Sequence, residues 1–227
     1  MQLVPGTRGR ALVLAVLAVP ASLLAWPVGA ALVCAAAGVR WFFRDPERSP
    51  PAAGVVSPAD GRVTVLREEP PADGDAGGDE PGTRVRVGVF MSPTDVHVNR
   101  APLPGTVRDV AHEPGGHWPA FSKASERNER LHVQAGDWRV TLVAGTLARR
   151  THPRVEPGTP VERGERIGHI SFGSRADVLL PAGVALDDVA VTPGDRVRAG
   201  ETVLVPAAVL DAAGAGTDDS GAGRDAT

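Results

Sequence analysis

A chain of 227 residues has room for one compact domain with appendages, and a composition of 42% hydrophobic and 22% charged residues is that of a globular protein. The net charge of −3 hides an uneven distribution: six acids and no base lie within 68–80 (−6), and the tail 211–227 sets four acids against Arg224 (−3), which leaves +6 on the rest. That mildly basic body suits an anionic membrane surface and lacks the basic stripe with interleaved aromatics of a nucleic-acid binder; the lone Cys34 excludes an intrachain disulfide.

Residues 11–39 hold no charged side chain and are flanked by Arg8 and Arg10 on one side and Arg40 and Arg44 on the other. As one helix they would reach about 43 Å, against a hydrocarbon core of about 30 Å. Pro20 and Pro27 divide the run, which predicts a tilted, kinked span or a re-entrant hairpin. Trp41, Phe42 and Phe43 then fall where interfacial aromatics belong. The run is too long for the apolar core of a cleaved signal, so a helical membrane anchor over 1–45 is expected, with the body on the cytoplasmic side of the cell membrane.

From Pro51 the pattern changes to short β-type runs punctuated by Gly and Pro, at 85–91, 139–147, 167–172 and 177–180. The acidic, Gly- and Pro-rich stretch 70–82 reads as a hairpin loop, and 120–130 is the best helical candidate after the anchor. The tail from Asp211 is small, acidic and expected to be disordered. A short repeat links Pro157-Gly-Thr-Pro-Val-Glu-Arg-Gly-Glu165 to Pro193-Gly-Asp-Arg-Val-Arg-Ala-Gly-Glu201, each followed by an aliphatic strand candidate. This turn–valine–turn–strand unit resembles that of biotinyl/lipoyl-type β-sandwiches, as does Val56-Ser-Pro-Ala-Asp-Gly-Arg-Val63. The expected class is mainly β, a β-sandwich or barrel over 46–210, preceded by the helical anchor.

Gly173-Ser174 is a dipeptide that composition alone supplies about once, so its interest lies in its place between two apolar strand candidates. An ordinary β-turn is one reading. The chemical one is an internal acyl shift, in which Ser174 Oγ attacks the Gly173 carbonyl and later elimination and hydrolysis leave a pyruvoyl group. Such a step needs a base. His97 has the intrinsic pKa for it, although a lone histidine in a β-rich segment is as readily structural. Asp60, in Ala59-Asp-Gly61, could orient that imidazole or simply serve a turn. His112, His117, His132, His152 and His169 lack metal-ligand spacing, so no metal site is assigned.

Five strings in order resemble the short prokaryotic form of phosphatidylserine decarboxylase: Phe42-Phe-Arg-Asp-Pro-Glu-Arg48, Ser57-Pro-Ala-Asp-Gly-Arg62, His97-Val-Asn-Arg-Ala-Pro102, Lys123-Ala-Ser-Glu-Arg-Asn-Glu-Arg130, and Arg163-Gly-Glu-Arg-Ile-Gly168 continuing to Phe172-Gly-Ser-Arg175. The resemblance implies an Asp/His/Ser set for self-cleavage, mapping onto Asp60, His97 and Ser174. It implies cleavage into chains 1–173 and 174–227 that stay together as a heterodimer, with Ser174 becoming the pyruvoyl cofactor that engages the amine of phosphatidylserine. Longer members carry a second histidine where Arg100 stands, so His97 would serve both maturation and turnover. Arg100, Lys123 and Arg130 are candidates for the headgroup. An archaetidylserine decarboxylase keeps the chemistry and changes the lipid; a membrane-tethered β-sandwich adaptor keeps the fold without the chemistry.

Overall fold

Valine-rich runs with an apolar residue at every second position can hide their apolar side only by joining a sheet. A computed structural model describes residues 2–3, 7–24, 26–70, 83–116, 118, 127–145, 151–170 and 174–218, and its elements follow that rule. In chain order they are β1 (Gln2–Leu3), α1 (Thr7–Leu24), α2 (Trp26–Phe42), β2 (Arg44–Asp45), β3 (Val55–Val56), β4 (Gly61–Glu69), β5 (Arg84–Met91), β6 (Val98–Arg100), β7 (Gly105–Glu113), β8 (Arg130–Ala135) and β9 (Trp138–Val143). Then come β10 (Thr151–Pro153), β11 (Pro160–Val161), β12 (Arg166–Ile170), β13 (Ser174–Leu179), β14 (Arg196–Val197), β15 (Val203–Val205) and α3 (Ala207–Asp218).

Eight strands form one antiparallel sheet in the order β11-β7-β8-β9-β13-β5-β4-β14, curled into a half-barrel. Its inner face carries Val85, Val87, Val89 and Met91 from β5, Ala176 and Val178 from β13, Val140 and Leu142 from β9, and Leu131 and Val133 from β8, all buried in one core. Two small sheets, β10-β12-β6 and β15-β3, accompany it. The mainly β expectation therefore holds.

The repeat seen in the sequence is real in space and longer than its strings suggested. β11 pairs with the start of β7 at Gly105, and β14 pairs with the start of β4 at Gly61. The turns that follow are twins: Gly164 and Gly200 sit at φ +77° and +74°, where a side chain would be strained, and they donate N–H to Ala101 O and Ser57 O at 2.8 Å each. Ser57-Pro-Ala-Asp-Gly-Arg-Val63 and Ala101-Pro-Leu-Pro-Gly-Thr-Val107 thus occupy equivalent places. The sheet order itself is symmetric about the β9–β13 seam, which sets β13 in the middle, buried on both faces.

Three expectations change. The helical membrane anchor expected over 1–45 is not supported: of the two forms expected for the apolar run, the single kinked span gives way to two helices packed on each other, and β1 pairs antiparallel with β2, so the chain leaves the pair where it entered. At 18 and 17 residues these helices are about 27 and 25 Å long, and no helix among the described residues is long and apolar enough to cross a membrane. Residues 127–130 of the expected helix are not α-helical, because Arg130 opens β8, and the rest, 120–126, lies outside the described residues. The tail expected to be disordered from Asp211 continues α3 to Asp218.

Candidate active site

Ser174 opens β13 opposite Met91 of β5. Strand alternation places its side chain on the inner face with Ala176 and Val178, and the residue is fully buried. Its Oγ has no hydrogen-bond partner among the described residues. A buried hydroxyl left unpaired costs about 1–3 kcal/mol, so such an atom is either a defect or a group kept for another use. Gly173, the expected cleavage partner, lies outside the described residues.

His97 reaches the same place along a second route. From Met91, the strand partner of Ser174, the chain turns through 92–95 and arrives at His97, whose carbonyl accepts from Ile170 N at 3.1 Å. Ile170 ends β12, four residues before Ser174. Segment 91–97 therefore clasps both ends of the stretch that contains the Gly173-Ser174 bond.

The state of the imidazole follows from its contacts. Nδ1 lies 3.0 Å from Asp95 O, and a carbonyl can only accept, so Nδ1 carries the proton and Nε2 presents a lone pair. Nε2 is buried and, like Ser174 Oγ, has no partner among the described residues. Burial lowers the imidazole to about 4 despite the opposing Asp95, with nearby Arg44 lowering it further, so the ring is neutral near pH 7. Phe42 stacks on it at 4.6 Å between centroids, tilted by 32°. The two segments supply a neutral, oriented proton acceptor and a buried hydroxyl, linked through 91–97.

The other candidates divide. Asp60 does not touch His97: its carboxylate takes two bonds from Arg48 (2.9 and 2.8 Å) and one from Ala199 N (2.8 Å), and burial still raises its pKa. The orienting contact expected from it comes instead from the main chain of Asp95. Arg100, expected at the headgroup, is held inside by Gly164 O, Pro46 O and Asp45, with its stem close against Gly200. Arg130 stands level with Arg175 across β9 and shares its face, the one opposite to Ser174. Lys123 lies outside the described residues.

Sequence reasoning passed over Asp95, Phe42 and Asn99. The carboxylate of Asp95 accepts from Ser92 N (2.8 Å), Ser92 Oγ (2.7 Å) and Arg196 (2.8 Å), which locks the turn that aims its carbonyl at His97. The string Ser92-Pro-Thr-Asp95 was the available signal, a side-chain-capped turn two residues before the histidine. Asn99 is fully buried, donates to Met91 Sδ at 3.7 Å and leaves Oδ1, on the His97 side of β6, without a partner among the described residues.

The family model for phosphatidylserine decarboxylase matches residues 36–205. A Halobacterium salinarum protein provisionally named an archaetidylserine decarboxylase proenzyme is 54% identical over 200 residues, covering 88% of this chain and 96% of its own. Phosphatidylserine decarboxylase proenzymes of Streptomyces griseus (51% over 171 residues; 74% and 73% covered) and Thermobifida fusca (49% over 177; 76% and 75%) are similar in the same way.

Proposed function

The chain belongs to the phosphatidylserine decarboxylase family, and from that premise we propose that it is a proenzyme that cleaves itself at Gly173-Ser174 and then decarboxylates phosphatidylserine to phosphatidylethanolamine. It is a carboxy-lyase, which sets aside the inert adaptor. The observation that carries the residue assignment is the pair of buried, unpartnered atoms, Ser174 Oγ and His97 Nε2, on the two sides of the clasp formed by 91–97.

In maturation His97 Nε2 takes the Ser174 Oγ proton as the oxygen bonds to the Gly173 carbonyl carbon, and the peptide nitrogen leaves as the free amine of residue 174. Removal of the proton on Ser174 Cα expels the Gly173 carboxylate, and water releases ammonia from the new terminus. The step needs to occur once per molecule, so a weakly basic imidazole suffices. The orphaned Oγ fits a residue that is consumed rather than retained as a hydroxyl.

A pyruvoyl group at position 174 supplies a carbonyl that engages the serine amine and accepts the electrons of the breaking bond to the carboxylate. Around it, burial limits water, Phe42 and Asp95 O hold the imidazole, and Nε2 would take the proton that the serine ammonium sheds and hand it to the substrate carbon once carbon dioxide has left. The apolar helical pair, with Leu12, Val16, Leu17, Trp26 and Val33 exposed, is read as a hairpin that enters the membrane from one side and brings the site to lipid.

Intact-mass measurement of purified protein tests the maturation: two chains are expected, ending at Gly173 and starting with a blocked residue 174, while Ser174→Ala stays whole and inactive. A wild type that decarboxylates serine lipid as a single chain would refute it. The near full-length likeness to the archaeal relative favours archaetidylserine as a second reading. Both lipids present the same phosphoserine, so turnover of the two in parallel micelles decides between them.

A further inference from the structure

Decarboxylation of an anionic headgroup requires the site to meet the headgroup charge, and the arginines around His97 differ sharply in what they already serve. Arg196 is paired with Asp95, Arg48 with Asp60 and Glu201, and Arg100, Arg154 and Arg166 with Asp45. Arg44 faces no carboxylate among the described residues. Its guanidinium gives NH1 to Trp41 O (3.0 Å) and NH2 to Thr94 O (2.6 Å) and lies over the Trp41 ring at 4.3 Å. Both oxygens are neutral carbonyls and the ring is uncharged; no carboxylate among the described residues neutralises the cation, and part of its five-donor fork stays open.

The location is as specific as the charge. Thr94 precedes Asp95, whose carbonyl fixes His97, and Phe42, two residues before Arg44, stacks on the same imidazole. Residues 42–44 and 94–97 thus form one clamp, and Arg44 is its half-exposed cation where the apolar hairpin meets the sheet. A lipid whose chains lie beside the hairpin carries its phosphate at that level.

We propose that Arg44 binds the phosphodiester of the lipid headgroup, an inference that rests on the decarboxylase reading above. The carboxylate is the poorer candidate on energetic grounds. Its charge disappears as carbon dioxide departs, so a fixed cation on it would stabilise the ground state more than the transition state and slow the step. The phosphodiester charge is unchanged throughout, and a cation there contributes equally to both states.

The test uses full-length, matured protein in mixed micelles of phosphatidylserine. Arg44→Gln, its fold checked by circular dichroism and thermal melting, is expected to raise KM by about 10- to 100-fold with kcat per matured site within about threefold. Arg44→Lys, which keeps the charge without the fork, falls between. Water-soluble glycerophosphoethanolamine, which has the phosphodiester and no carboxylate, is expected to compete with substrate in the wild type and to lose potency in Arg44→Gln by a similar factor. An unchanged KM, a collapse of kcat at constant KM, or undiminished inhibition by glycerophosphoethanolamine each overturns the assignment. Failure of the family reading looks different, because the wild type itself would then neither cleave nor release carbon dioxide.

Discussion

Two contacts and a dry setting give His97 its character: a carbonyl on Nδ1, an aromatic face from Phe42, and burial that holds the imidazole at about 4 against an ordinary 6.5. Between those values the unfolded chain binds a proton that the folded chain refuses. Stability from this group is therefore complete above 6.5 and falls as pH drops toward 4, by about 3 kcal/mol in all. His169, also lowered to about 4 by burial with His152 and Arg154 assisting, acts in the same direction but is more accessible to solvent. Urea midpoints of the wild type should fall between pH 7 and 4.5, and the fall should be shallower in His97→Gln; identical slopes would mean that the ring is not held neutral by the fold. His97→Ala should slow self-cleavage by about 10²–10⁴-fold, followed by the rate at which the two chains appear on a denaturing gel. The histidine itself was legible, since its residue type and string suffice. Its true partner was not, because a main-chain carbonyl leaves no residue-type signature, whereas Asp60 offered a carboxylate that the fold had committed to Arg48.

Among elements, the small sheet β10-β12-β6 is what fastens the N-terminal segment to the body. Asp45 of β2 is 1% exposed and accepts from Arg166 at 2.7 Å, Arg100 at 3.2 Å and Arg154 at 3.3 Å, one cation from β12, one from β6 and one just after β10. Asp45→Asn would leave three guanidinium groups without their common anion, and removing one member of a buried ion cluster costs about 3–5 kcal/mol. The exposed Glu47→Gln, which touches only Arg166 at 3.4 Å, should cost under about 1 kcal/mol. Equal losses for the two variants in chemical denaturation would show that Asp45 is not the fastening point. No sequence pattern announces such a hub, since its partners lie 55 to 121 residues away. The repeated turns at 157–165 and 193–201 were legible because glycine and proline are punctuation that geometry enforces. Of their companions, 57–63 was read as a turn unit from its own string, but its likeness to 101–107, with which it shares only Pro, Gly and Val, passed unnoticed.

On the scale of the whole molecule, the pairing of β1 with β2 is decisive, because it returns the chain to its starting point after the two apolar helices. Composition showed an apolar segment with basic flanks but could not distinguish one long helix from two short ones; Pro20 and Pro27 suggested a break, and the packed pair supplies it. Were this hairpin to enter a bilayer, as proposed, both its ends would stay beside the body, and Phe42 on His97 would tie its seating to the imidazole. Cys34, the single cysteine of the chain, lies exposed on α2 and is a native probe of this arrangement. An environment-sensitive fluorophore attached there should shift to the blue when vesicles containing anionic lipid are added, and lipids carrying a quencher in their acyl chains should dim it. Because both flanks hold arginines, the shift should weaken in high salt without vanishing: screening removes the attraction of Arg40 and its neighbours, while the apolar faces still drive insertion. A spectrum that stays unchanged on lipid addition would mean that the exposed apolar faces are covered by protein instead, and the hairpin would have to be reassigned to contact between copies.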